Sequence, residues 1–352
     1  LGGQIARHAR RVPQQAHRCA VVVGGVAAHE VAEGHAVAAD LVDRGGSVIT
    51  AAAYGLADRR SVIAVEISTQ FGLASGTKLF TALTVMSLIE SGQLQLDLRV
   101  RGPLGTDLPL IGDDVTIEQL LSHRSGIGDY LDESLFDDIT DFELPVPAQR
   151  LWSTEQYVPI LDGHPRVSAP GAEFEYNNGG YVVLALVAER TAGQPFDVLV
   201  RERVCDRAGV DATRFLRSDE LPQSAALGYL DAEGLRTNVF HLPVLGSGDG
   251  GIYSTVADVS AVWRAFVEGR IVRPELVDQM LTPHGRSGDN ALEYGLGVWI
   301  HRDGVLEIHG YDAGVSFYSL HHPSSATTCT AISNTGRGTR ALEELLARRI
   351  RQ

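Results

Sequence analysis

Between Phe71 and Ser91 the chain carries Leu79, Phe80, Leu83, Val85, Met86, Leu88 and Ile89 at spacings that cover nearly the whole circumference of a helix, with Gly92 as its C-terminal stop. A helix apolar on all sides is a buried helix, so the fold has to cover it completely. Strand-like text stands at both ends of the chain. Ser47 to Tyr54 reads as a strand after the turn Asp43-Arg44-Gly45-Gly46, and Gly55 to Arg60 as a further turn before a strand-like stretch to Ile67. Tyr294 to His301, Val305 to His309, Val315 to Leu320 and Thr327 to Asn334 are short β-branched and aromatic runs separated by turns. Between the two groups lie a capping box at Thr116 to Gln119, a second apolar helix from Gly180 to Thr191 closed by Gly193, and a capped helix from Thr255 through Val267. A last helix spans Thr339 to Arg351. The expected fold is α/β (α+β): an antiparallel sheet formed from both chain ends and flanked by helices, with an inserted, mostly helical region. Residues 40–72 and 250–352 are assigned to the sheet domain, 73–249 to the helical domain, and 1–39 to a poorly ordered N-terminal extension.

The buried helix opens with the only lysine of the chain, in Ser75-Gly76-Thr77-Lys78; every other cationic side chain is an arginine. Arginine stays protonated at physiological pH, whereas a desolvated lysine can lose its proton and act as a base. Serine is a poor nucleophile until a neighbouring base takes its proton. Positions three apart lie on one helical face, so the Ser75 hydroxyl and the Lys78 amine can meet. The alternative is that Ser75 caps the helix and Lys78 is solvated, but a lysine at the first turn of a buried helix is badly placed for solvent.

Two further elements are candidates. In Tyr176-Asn177-Asn178, a phenol beside an ammonium can lose part of its pKa and move protons, and an asparagine two residues on points the same way along an extended segment. The alternative is a buried aromatic whose hydroxyl is satisfied, with Asn178 capping the Gly180 helix. His309-Gly310 stands at the apparent end of a strand, followed by Tyr311-Asp312-Ala313-Gly314, where a small residue lets a substrate approach and strand N–H groups can polarise its carbonyl. An ordinary strand-end turn with a surface histidine is equally compatible.

Taken together, residues from about 40 to 350 resemble the serine β-lactamase and penicillin-binding protein superfamily, in particular its class C-like and carboxylesterase branch. The resemblance rests on Ser75-x-x-Lys78, Tyr176-x-Asn178 and His309-Gly310, supported by Leu121 to Ile127, Gly250 to Thr255 with Asp258, and Tyr294-Gly295-Leu296-Gly297. It implies that Ser75 is acylated, Lys78 activates it, Tyr176 shuttles protons, and Asn178 positions Lys78 and the substrate. The implied oxyanion hole is the Ser75 N–H with an N–H after His309, that of Tyr311. Two departures matter: His309 stands in place of the β-lactamase lysine, and Tyr311 where glycine is usual. Both weaken the expectation of efficient penicillin hydrolysis.

The expectation is a metal-free and cofactor-free serine hydrolase acting through an acyl-enzyme on a small ester or amide, as an esterase, D-amino-acid peptidase or β-lactamase. The alternative is a non-catalytic penicillin-binding-like scaffold or binding protein. A formal charge of −14 argues against nucleic acid and anionic membrane surfaces as partners, and no stretch reaches transmembrane length. The histidines His284, His301, His321 and His322 lack zinc spacing. Cys19, Cys205 and Cys329 are too scattered for a disulfide scaffold and read as small buried residues. A basic run and a short apolar stretch, Ala20 to Ala28, have some character of a signal peptide, but glycines and His29-Glu30 interrupt it. The expectation is a cytoplasmic chain.

Overall fold

The computed structural model describes residues 38–287 and 292–351; Cys19, the signal-like stretch and all of the extension 1–39 except Ala38 and Ala39, which are in a strand, lie outside them. Eight strands form one antiparallel sheet: β1 (Ala38–Arg44), β2 (Ser47–Tyr54), β3 (Gly285–Ser287), β4 (Leu292–Tyr294), β5 (Trp299–Ile300), β6 (Leu306–Asp312), β7 (Val315–His322) and β8 (Thr327–Ser333). Their spatial order is β2-β1-β8-β7-β6-β5-β4-β3. The two chain ends meet where β1 pairs with β8, from Ala38 opposite Ser333 to Arg44 opposite Thr327. The sheet built from both ends is therefore observed, as is the helical insertion between them.

Alternation of side chains splits the sheet into two faces. Phe317 and Ile332 join the large core, where Trp263 of α3 (Val256–Val267) donates its indole N–H to Ser319 Oγ at 2.9 Å. Leu320, Cys329 and Ala331 point the other way and pack with Leu342, Leu346 and Ile350, the first two from α4 (Arg340–Arg349). The helix read as apolar all round is α1 (Thr77–Glu90), whose residues from Thr77 to Leu88 are all buried. It packs against α2 (Asn178–Ala192), which ends at Gly193 in the left-handed conformation.

Several expectations are corrected. Strand β1 was not expected, because Asp40 and Asp43 break its apolar pattern. Both carboxylates are buried, and Asp43 bonds Arg264 at 2.8 Å and the turn N–H of Gly46 at 3.1 Å. The expected turn Gly55 to Arg60 contains a short strand, Leu56–Asp58, paired with Ile63–Ala64. The segment before α1 is not α-helical: Phe71–Gly72 is a strand and Ala74–Gly76 a single 3-10 turn, so Ser75 lies in that turn. The cap of α2 is Asn177, which accepts the Gly180 N–H, and Asn178 is the first helical residue. Thr255 caps α3, but the Asp258 carboxylate turns to Ala212 N–H and the Thr213 hydroxyl, so the box there is half formed.

His309 and Gly310 lie inside β6, not at its end. Gly310 is where the sheet meets the Ser75 turn. A Cβ there would stand 2.2 Å from the Leu73 carbonyl oxygen and 2.6 Å from the Ser75 nitrogen, closer than any real contact. Only glycine lets β6 lie against the turn. Gly310→Ala is expected to destabilise the fold by about 1–3 kcal/mol and to displace Ser75; denaturant melts together with turnover would check it, and an unchanged midpoint with normal turnover would contradict it.

Candidate active site

Ser75 is held by its neighbours. Ala74 has φ +45, a conformation disfavoured for any residue with a side chain. Thr77, the third residue of the Ser-x-x-Lys stretch, donates its hydroxyl to Ala74 O at 2.7 Å and accepts Ile252 N–H at 3.1 Å, tying the turn to the strand Ile252–Ser254. One helical turn on, Lys78 is 2% exposed. Its Nζ has three partners: Ser75 Oγ at 2.9 Å, Asn178 Oδ1 at 2.8 Å and the Asp249 backbone oxygen at 2.9 Å.

The Asn178 orientation is fixed, because its Nδ2 donates to Leu131 O at 2.9 Å and Glu133 Oε1 at 3.1 Å, both acceptors, leaving Oδ1 for the lysine. Oδ1 and the Asp249 carbonyl can only accept. A neutral Lys78 therefore gives them its two hydrogens and turns its lone pair to the Ser75 hydroxyl. Burial disfavours the ammonium and lowers the lysine pKa, against the opposing charges of Asp249, Glu133, Asp129 and Asp312. The Tyr176 and Tyr181 rings flank Nζ at 4.9 and 5.7 Å.

Burial, and after it the Glu133 charge, push the Tyr176 phenol well above the ordinary range, against a hydrogen bond shared with Ser75 that lowers it. The expected lowering is thus corrected: in this desolvated setting Tyr176 stays a phenol. Asp129 anchors the segment from below, accepting the Asn178 and Gly179 N–H groups at 2.7 and 2.8 Å. Asn177 holds it from the side, donating Nδ2 to Ile127 O at 2.9 Å.

Strand β6 supplies the opposite wall. Asp312 and Val315 flank the two-residue turn of the β6–β7 hairpin and must exchange hydrogen bonds, since residues inside the turn cannot. Counting back in twos, Gly310 also bonds to β7, while the N–H and C=O of Glu307, His309 and Tyr311 face the other way. Glu307 meets β5 through Trp299, and beyond it His309 and Tyr311 border an open edge. The His309 side chain is on the face opposite Gly310. Its Nδ1 lies 2.7 Å from Glu307 Oε1, and its ring stacks on Trp299 at 5.9 Å and 9°. Glu307 also receives His301 at 2.8 Å and the Tyr318 hydroxyl at 3.0 Å.

A cleft of about 940 Å³ opens beside Ser75, lined by Asn178, Tyr311 and apolar residues such as Phe142, Leu144, Leu216 and Val315. Three carboxylates also line it, from Glu133, Asp249 and Asp312, and among the lining residues there is no lysine or arginine. Asp249 accepts the Tyr130 hydroxyl at 2.6 Å. Burial raises Asp312 to about 7 and Asp129 to about 6. The structure thus brings Ser75, Lys78, Tyr176 and Asn178 together, with Gly310 against the Ser75 turn and the Tyr311 backbone at the open edge. It turns the His309 side chain toward Glu307. Asp129, Glu133, Asp249 and Asp312 were not singled out from sequence; the glycine-rich loop Gly246 to Gly251 around Asp249 was the one available signal. Among the described residues no group of His, Cys, Asp or Glu could hold a metal ion, and no helix is long and apolar enough to cross a membrane. Cys205 and Cys329 are free and buried.

The sequence matches the Beta-lactamase family over residues 26–345, and the chain belongs to that family. It is 26% identical over 298 residues to PbpX of Bacillus subtilis (strain 168), named as a penicillin-binding protein, covering 84% of this chain and 69% of that one. It is 33% identical over 208 residues to esterase EstB of Burkholderia gladioli, covering 55% of this chain and 50% of the esterase. The crystal structure of a penicillin binding protein from Bacillus halodurans superimposes with a TM-score of 0.82 at 35% identity, covering 88% of this chain and 95% of the other. The fold is that of the β-lactamase-like serine hydrolases.

Asp312 gives a test of the cleft's electrostatics. Its folded pKa of about 7 lies above the unfolded value of 3.8, so its ionisation weakens the fold as pH rises through that interval. Asp312→Asn keeps an acceptor for the Ala313 N–H and removes the charge. The melting temperature is expected to rise more at pH 8 than at pH 5; equal shifts at both pH values would contradict the assignment.

Proposed function

We propose that this chain is a serine hydrolase that cleaves small esters or amides through an acyl-enzyme on Ser75. The observation that carries the reading is the Lys78 amine, buried and 2.9 Å from Ser75 Oγ, with its other two partners obligate acceptors. Lys78 takes the Ser75 proton as Oγ attacks the substrate carbonyl. The oxyanion that forms is met by the Ser75 N–H, freed at the start of a helical segment, and by the Tyr311 N–H at the open edge of β6. Tyr176, a neutral phenol bonded to Ser75, gives its proton to the leaving oxygen or nitrogen and recovers one from the Lys78 ammonium. Water then attacks the ester carbonyl, loses a proton to the same pair, and Ser75 leaves protonated. Asn178 fixes Lys78 throughout.

The cleft also supports a substrate class. Penicillins carry a carboxylate, and this cleft offers three carboxylates and no arginine or lysine along its lining. A carboxylate entering this partly desolvated site finds no cation along the lining and meets Glu133, while Asp249 and Asp312, both with raised pKa, add to the repulsion as pH rises. The His309 side chain, bonded to Glu307, is not aimed at the cleft as a substitute cation. Neutral or amine-bearing acyl groups fit the charge balance, so esterase or amidase activity is favoured over β-lactamase activity.

A fluorophosphonate should label Ser75 in the wild type. Absence of labelling of folded protein, with no ester turnover, would favour a non-catalytic scaffold. Lys78→Arg places a permanent cation at the same position and cannot act as base, and is expected to lower kcat about 100- to 10,000-fold; near-normal turnover would refute the role of Lys78. Turnover of a neutral p-nitrophenyl ester should exceed that of nitrocefin in kcat/KM by at least about tenfold, equivalent to about 1.4 kcal/mol. Preference for nitrocefin would overturn the substrate class.

A further inference from the structure

One buried side chain beside the site keeps a polar atom without a partner. His123 is 1% exposed, and its Nε2 meets no hydrogen-bond acceptor. Its ring is enclosed by Tyr176 at 4.3 Å, Tyr294 at 4.8 Å, Tyr181 at 4.9 Å and Phe174 at 5.9 Å between centroids. Its backbone is at φ +54, in the left-handed region that side chains avoid. Strain and a lost hydrogen bond at one buried residue both oppose folding, so something else has to retain histidine here.

The contacts of His123 converge on Tyr176. Its carbonyl oxygen accepts the Glu175 N–H at 2.9 Å, and its Nδ1 accepts the Asn177 N–H at 3.0 Å. The backbone N–H groups of the residues before and after Tyr176 are therefore both tied to one residue, and the imidazole itself lies on the Tyr176 ring. Because a backbone N–H points at Nδ1, that nitrogen carries no proton, and the proton of the neutral ring is on Nε2, among the aromatic rings. Burial and the Lys78 charge both act against the imidazolium, which would set two N–H groups head-on. No other side chain offers a flat ring with an acceptor at that corner.

We propose that His123 is a positioning residue that fixes the Tyr176 hydroxyl on Ser75 by clamping the backbone on both sides of Tyr176 and backing its ring. The inference rests on the reading of Tyr176 as the phenol that relays protons. His123→Phe keeps the ring and removes the acceptor. It is expected to lower kcat for a p-nitrophenyl ester about 100-fold, with KM within about twofold of wild type. In a Tyr176→Phe background the same substitution should cost no further turnover, because the residue acts only through that hydroxyl. His123→Asn, which returns an acceptor, should recover part of the loss and serves if the Phe variant does not fold. Equal losses in both backgrounds, or an unchanged kcat, would overturn the proposal. A wild type inert to esters and fluorophosphonate would instead refute the hydrolase reading. The proposal would then be decided by a crystal structure of the variant: Tyr176 displaced from Ser75 supports it, and an undisturbed hydrogen bond overturns it.

Discussion

Burial of the Lys78 amine is the constraint around which the rest of the molecule is arranged. An isolated ammonium in an apolar interior costs several kcal/mol, and removing one partner of a buried charge costs comparably. Here the charged form is opposed by burial and supported by carboxylates that do not touch it directly, while two aromatic faces add roughly 1–2 kcal/mol each toward the cation. The result is an amine whose protonated form is less favoured than that of a lysine in water. The direct contacts, two carbonyl-type oxygens and a hydroxyl, satisfy the ammonium with three hydrogens and equally satisfy the amine with two hydrogens and a lone pair. A carboxylate in direct contact would have trapped the cation.

That arrangement makes demands on distant parts of the chain. Asp249 O comes from the loop before Ile252–Ser254, Asn178 from the start of α2, and Ser75 from a turn pressed against β6. Asp129 and Asn177 hold the start of α2, and Gly310 permits the close approach of the sheet. The acidic lining has a second consequence, since the carboxylates that temper the lysine also decide what the cleft admits. Catalytic competence and substrate charge are coupled through the same few residues.

Much of the architecture was legible in the sequence. The buried helix, the strand β2, the helices α2 and α3 and the C-terminal strands follow from periodicity and caps, which are local signals. Strand β1 was hidden because Asp40 and Asp43 are polar residues made internal by partners far away in sequence. Asp40 is buried, with a pKa raised to about 6 and only the charge of Arg349 to offset burial. The pairing of Ser75 with Lys78 was readable from helical spacing, and Tyr176 and Asn178 from a motif. The face taken by His309 was not, because composition does not fix register and a shift of one residue exchanges the two faces of a strand. His123 and Asp249 were out of reach for a related reason: a histidine in a polar stretch and an aspartate between glycines declare nothing until tertiary contacts desolvate them.

Because Lys78 is the only lysine, selective ¹⁵Nζ-lysine labelling gives a single resonance whose titration can be followed directly in the full chain. The expected midpoint lies below the ordinary lysine value of about 10.4, with slow exchange of its hydrogens with solvent. A midpoint at the ordinary value with rapid exchange would contradict it.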